Sequence, residues 1–200
     1  MPSASFESVT AASPPQATMT IEEWGALDED VLGELVDGRL VEEEDPSALH
    51  AVVATSVLVA AGGWARARGG FGVASGVKFA IDERTGRKTD GSVYFAGRKP
   101  EPYGLVRVPP DIAIEVISPE ARDERRDRIE KFDDYAAFGV RWYWLVDPQW
   151  RTFEIWELGA DGRYVRACGA IGGKIDPVSG CDGLALDVDA LWEEVDRLIA

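Results

Sequence analysis

Residues 109–148 read PPDIAIEVISPEARDERRDRIEKFDDYAAFGVRWYWLVDP, and this stretch decides the fold. The segment from Pro109 to Ile117 is β-branched, apolar on both faces and led in by prolines, the pattern of a central strand covered on both sides. Ser118 and Pro119 supply an N-cap and a first-turn proline, so a helix is expected to about Phe138, stopped by Gly139. Val140 to Pro148 follows as a second buried strand, and its Trp-Tyr-Trp run reads as core. Strand, helix and strand within about 38 residues make a βαβ unit, which implies a parallel pair joined by a right-handed crossover.

On the N-terminal side, Thr20-Ile21-Glu22-Glu23 has the form of a capping box and predicts a short helix to about Leu27. Asp37-Gly38 predicts a hairpin between Glu34–Val36 and Arg39–Glu42, because both turn residues tolerate positive φ. Pro46 and Ser47 open an Ala-rich stretch expected to form a mostly buried helix to about Ala67, broken or kinked at Gly62-Gly63. GGFGVASGVKFAID (69–82) reads as one strand with a Gly-rich approach, TGRKTDG (85–91) as a turn and SVYFAG (92–97) as a short strand. On the C-terminal side, RTFEIWEL and RYVRACGA form a hairpin around Asp161-Gly162, and ALWEEVDRLI closes as a helix. The expected architecture is α/β: a mixed central β-sheet flanked by helices, with an N-terminal hairpin and a C-terminal antiparallel hairpin. Residues 1–18, rich in Ser, Ala and Pro, are expected to be a flexible tail before one domain over 19–200.

The formal net charge is −15, which repels polyanions at long range, whereas nucleic-acid binders usually carry a basic footprint. A local basic face from Arg66, Arg68, Arg122, Arg125, Arg126 and Arg128 is the arrangement that would answer this. Cys168 and Cys181 form no CxxC pair, which argues against a structural zinc site and fits reduced thiols in the cytoplasm. The N-terminus lacks the pattern of a signal peptide, and the apolar run Ala51–Ala61 is too short to span a bilayer. One histidine is too few for His-based metal centres, and there is no GxGxxG after a strand, P-loop, HExxH or GxSxG.

The chemistry-bearing residues cluster around the first strand. Asp111 and Glu115 share a face, but four residues of strand set them ~13 Å apart, too far to share a small cation. Glu115 therefore needs a carboxylate from a neighbouring strand, and Asp90, at the start of the preceding strand, is the natural candidate. A carboxylate among Ile112, Ile114, Val116 and Ile117 is costly to desolvate; it must be paired, bonded or metal-bound, and an Arg-paired structural glutamate is the plain alternative. By spacing alone, Asp127 and Lys131 are an ordinary surface i, i+4 pair in a solvated mixed-charge run, with Tyr135 one turn further on. His50, near a helix start, reads more readily as a capping or packing residue than as a ligand.

The quoted stretch, with MTIEEWGALDED, ELVDGRLVEE, PSALH and RKTDGSVYF before it in the same order, resembles the Uma family of putative restriction endonucleases. That family is similar to the PD-(D/E)XK nuclease superfamily. The resemblance runs from Met19 to about Val165 and implies a restriction-endonuclease-like fold. It implies that Asp90 stands for the PD aspartate, with Thr89 in place of the proline, and that Glu115 is the acidic residue of the second element. Ile117 occupies the position of the usual lysine, and Lys131 on the helix matches its migrated counterpart. Glu34 matches a further acidic position near the metal, and His50 a family histidine. The implied catalytic set is Asp90, Glu115, Lys131 and Glu34, with Asp90, Glu115 and Glu34 on the metal; His50, Asp111 and Tyr135 are secondary candidates. The implied activity is a divalent-metal-dependent deoxyribonuclease using Mg²⁺ or Mn²⁺ on DNA, acting as a homodimer. Two other readings stay open: a non-catalytic protein-interaction module on the same fold, and hydrolysis of another phosphate ester.

Overall fold

The computed structural model describes residues 18–28, 31–42, 45–118 and 126–200. Residues 1–17 of the tail expected over 1–18, the helix start at Pro119, and Arg122 and Arg125 lie outside the described residues.

The centre is a six-stranded mixed sheet in the order β10-β9-β8-β7-β6-β3. Its strands are β3 (Phe71–Ala74), β6 (Gly91–Tyr94), β7 (Ile112–Val116), β8 (Trp142–Asp147), β9 (Thr152–Leu158) and β10 (Tyr164–Ala170). β7 and β8 are parallel, with Ile112 opposite Trp142 and Glu115 opposite Leu145, as the βαβ reading requires. All other neighbours in this sheet are antiparallel, β9 and β10 forming the expected C-terminal hairpin. Every residue of β7 and β8 is buried.

Strand alternation divides β7 between two cores. Ile112, Ile114 and Val116 join Val53, Val57, Trp144 and Trp192 under α2 (Ala48–Arg66) and the C-terminal helix α4 (Val188–Ile199). Ala113 and Ile117 face the other way, with Tyr135, Tyr143 and Leu145, beneath α3 (Lys131–Phe138). Glu115 belongs by parity to the α3 side. The helix α3 continues a π-helical turn over Arg126–Glu130 and ends at Gly139, whose φ of 88° is the left-handed cap expected there.

A second sheet of four short strands runs β2-β1-β5-β4. The hairpin β1 (Glu34–Val36) and β2 (Arg39–Val41) turns at Asp37 and Gly38, both with positive φ. The capping box is formed, and α1 (Ile21–Gly25) packs Trp24 and Ile21 against this sheet. The 69–82 segment is not one strand. Phe71–Ala74 joins the large sheet, whereas β4 (Phe79–Ala80) pairs in the small one with β5 (Gly86–Arg87), inside the segment read as a turn. A further pair, β11 (Lys174–Ile175) and β12 (Leu186–Asp187), is short enough to carry no period-2 signal.

α2 differs from expectation in two ways. It is exposed along one side, with Val59 69 % accessible, and it runs unbroken through Gly62 and Gly63. At 19 residues it meets the length and composition of a membrane span, but Val53, Val57, Ala61 and Ala65 pack into the core over the sheet. Gly62 is there for close approach: a Cβ built on it would lie 3.1 Å from the Gly72 Cα, and one on Gly72 would lie 2.8 Å from the Gly62 Cα. Both cysteines are free, Cys181 fully buried.

This predicts opposite signs for neighbouring substitutions. Gly72→Ala drives backbone against backbone and costs about 1–3 kcal/mol. Gly63→Ala, with nothing within 4 Å, stabilises by about 0.5–1 kcal/mol through helix propensity. Urea unfolding of both variants checks the pair.

Candidate active site

The residues singled out in the sequence come from five elements. Glu34 is the first residue of β1, His50 lies in the first turn of α2, Asp90 precedes β6, Glu115 is near the end of β7, and Lys131 opens α3. Asp90, Glu115, Lys131 and His50 line one cleft of about 590 Å³, with Asp127 beside them.

Asp90 is tied to both sequence neighbours of Glu115. Its N–H donates to the Ile114 carbonyl at 3.1 Å, and the Val116 N–H donates to its Oδ2 at 2.7 Å. His50 Nε2 stands 3.1 Å from the same oxygen, while its backbone N–H is capped by Ser47. Both contacts fall on Oδ2, and among the described residues nothing bonds Oδ1.

Glu115 does not meet an arginine. Lys131 Nζ donates to its Oε2 at 2.8 Å and the Tyr135 hydroxyl donates to its Oε1 at 2.5 Å. These two bonds leave part of the carboxylate's capacity of about four lone pairs. Lys131 also lies 3.3 Å from Asp127 Oδ1 and 3.7 Å from Glu34 Oε1. The Asp127–Lys131 pair is thus no surface pair; both residues are 2 % exposed. The dense charge run hid this: among its described members Arg128 bridges Asp147 and Glu154, and Asp134 pairs with Arg87.

Glu34 is held by a residue that no local pattern singles out. Arg87, on β5, donates to Glu34 Oε2 at 2.8 Å and pairs with Asp134 Oδ2 at 2.6 Å, and the Lys88 N–H donates to Glu34 Oε1 at 2.8 Å. Register explains the meeting: Leu35 is opposite Gly86, which brings Arg87 beside Glu34. Asp111 stays at the far end of β7, accepting from the Phe95 N–H at 2.7 Å and Arg98 at 3.1 Å; it takes no part in the cleft. Of the arginines proposed for a basic face, the described Arg68, Arg126 and Arg128 have different partners. Arg68 donates to the Asp182 carbonyl and Arg128 bridges Asp147 and Glu154, while Arg126 lines the cleft beside Lys78 and Lys88.

The electrostatics separate like groups. Burial raises the Glu115 carboxyl well above the usual range, and Asp90, Asp127 and Glu34 add to this against the pull of Lys131. Burial raises Asp127 for the same reason, only partly offset by Lys131 and Arg126. Burial also opposes ionisation of Glu34, but Lys131 and Arg87 outweigh it and hold that carboxyl low. Asp90 is held low as well, its burial outweighed first by the His50 hydrogen bond. Burial opposes the charged form of Lys131, yet the surrounding carboxylates, Glu115 first, keep it protonated. Glu115 is thus the carboxyl least compensated by its neighbours, a condition that added positive charge beside it would relieve.

Among the described residues no three His, Cys, Asp or Glu side chains are gathered to hold a metal ion by themselves. A zinc-type cage does not fit. Mg²⁺ is ordinarily held by one or two carboxylates with waters completing its shell, and Asp90 and Glu115 are carboxylates that line the same cleft.

A six-stranded mixed sheet with a parallel βαβ crossover, and an acidic-lysine cluster at one end of its central strand, make this a restriction-endonuclease-like α/β protein. The family model described as "Uma2: Putative restriction endonuclease" matches residues 21–188, and the chain belongs to that family. It is similar in fold to the crystal structure of a putative nuclease of the DUF820 group from Anabaena variabilis. The TM-score is 0.70 at 17 % identity, covering 88 % of this chain and 99 % of that one. No curated protein matches the chain.

Removing the cation from one side of this cluster should expose its cost. Arg87→Met leaves Glu34 buried without its partner and is expected to lower stability by about 3–5 kcal/mol in chemical denaturation. Adding Glu34→Leu should recover at least half of that loss. No recovery would mean that the Arg87–Asp134 contact carries the stability instead.

Proposed function

We propose that the chain is a divalent-metal-dependent endonuclease that hydrolyses DNA phosphodiester bonds, with Mg²⁺ or Mn²⁺ held by Asp90 and Glu115. The observation that carries this reading is the buried carboxylate cluster around Lys131 at the floor of the cleft, in a chain of the Uma2 family. When bound, the cation lowers the pKa of a coordinated water and offsets charge on the scissile phosphate. The protein supplies the rest. Lys131 presents a protonated ammonium to the developing anion, and with Tyr135 it fixes the orientation of Glu115. His50 and the Val116 N–H fix Asp90. Glu34, with both oxygens engaged by Arg87, Lys88 and Lys131, serves as the anchor behind Lys131 rather than as a ligand. No covalent protein intermediate is needed. Lys88, with Lys78 tied to the Trp24 and Leu27 carbonyls and Arg126 beside Asp127, gives the cleft wall a local positive charge that the net charge of −15 lacks at long range. The reading extends to a cytoplasmic homodimer, whose two-fold axis would set one cleft against each strand of a duplex.

The net charge favours a second reading, a protein-interaction module without catalysis. One experiment separates the two. Purified protein with Mg²⁺ or Mn²⁺ is expected to nick supercoiled plasmid. Glu115→Ala and Lys131→Ala, checked for folding by circular dichroism, are expected to abolish nicking. Equal cleavage by wild type and folded Glu115→Ala would sink the nuclease assignment.

A further inference from the structure

Asp127 is unused in that reading, yet it is the carboxylate most closely built into the cluster's rim. It sits on the π-helical turn Arg126–Glu130, a wider turn than the α-helix and one frequent at functional sites. The turn carries Asp127 inward while leaving Ile129 57 % exposed, an arrangement that packing alone does not favour. The Tyr143 hydroxyl, from the central strand β8, donates to the Asp127 carbonyl at 2.9 Å and fastens the turn to the sheet. Asp127 Oδ1 is buried without a hydrogen bond, 3.3 Å from Lys131 Nζ and 3.6 Å from Arg126 Nε. Lys131 needs such a neighbour. Its ammonium is a point charge on a four-carbon stem with rotatable donors, so the one short bond to Glu115 does not by itself fix it.

We infer that Asp127 is a positioning residue: its carboxylate holds the Lys131 ammonium against Glu115 at the floor of the cleft, and it is not a ligand of the cation. The consequence for turnover rests on the endonuclease reading; the clamp itself does not. Three carboxylates then surround one ammonium, Glu115 at 2.8 Å, Asp127 at 3.3 Å and Glu34 at 3.7 Å, approaching from β7, the π-turn and β1.

The test compares full-length wild type, Asp127→Asn and Asp127→Glu by NMR of the lysine ammonium groups. The chain has five lysines, and Lys131→Arg identifies the signal of Lys131. Wild type is expected to show a narrow, slowly exchanging Lys131 signal. Asp127→Asn should lose it, and plasmid cleavage should fall about 10–100-fold in kcat with the half-saturating Mn²⁺ concentration within twofold. Asp127→Glu should retain a shifted signal, and carries the test alone if the Asn variant does not fold. A Lys131 signal unchanged in both variants overturns the clamp. A tenfold rise in half-saturating Mn²⁺ makes Asp127 a ligand and equally overturns the inference. Loss of the signal in Asp127→Asn, with no cleavage by wild type, leaves the clamp standing and removes the endonuclease reading instead.

Discussion

The structure depends on keeping one ammonium charged where water does not reach. Lys131 is 2 % exposed, and stripping an ion of water costs several kcal/mol unless opposite charge surrounds it closely. Glu115, Asp127 and Glu34 do so, and each must come from a different element. The small sheet has to lie against the large one to deliver Glu34. The crossover after β7 has to return Lys131 to the end of the strand that carries Glu115. The apolar cores on the two faces of the sheet hold these elements where that requirement can be met.

The same requirement sorts chemically alike residues. Glu34 and Glu115 are both buried glutamates, but Arg87 takes Glu34 into a pair while Glu115 has only a shared lysine and a tyrosine. The first is held ionised; the second is driven toward holding a proton until further positive charge arrives. Opposite displacements of neighbouring acids are what gives one site both a fixed framework charge and a responsive one.

Much of the fold could be read from the chain because local and global signals agree there. The capping box at Thr20, the Asp37-Gly38 turn, the doubly buried strands and the Gly139 cap each state their structure within a few residues. Glu115 was legible for the opposite reason, a charge where the pattern wants none. Lys131 and Asp127 were not, because i, i+4 spacing looks identical on a solvated and a buried face. Arg87 was invisible: its two-residue strand lies between turn-formers, and only pairing with β1 gives it a role. Asp111 shares a face with Glu115 but not its end of the strand, as the rise of four residues implies, and it bonds Phe95 and Arg98 there. Gly62 resembled a helix breaker, since no local signal discloses that another backbone lies against it.

The Glu34–Arg87 contact joins residues 53 positions apart, and His50 reaches Asp90 across another long span. Closing such loops costs entropy before any contact repays it. Until both sheets have docked, each of these charges is better served by water. The cluster is therefore expected to assemble late, after the apolar strands have collapsed, with its interactions formed beyond the rate-limiting step of folding. Contacts of that kind act on the rate of unfolding. The charged centre is, in kinetic terms, a latch that closes on an already formed molecule and governs how long it stays shut.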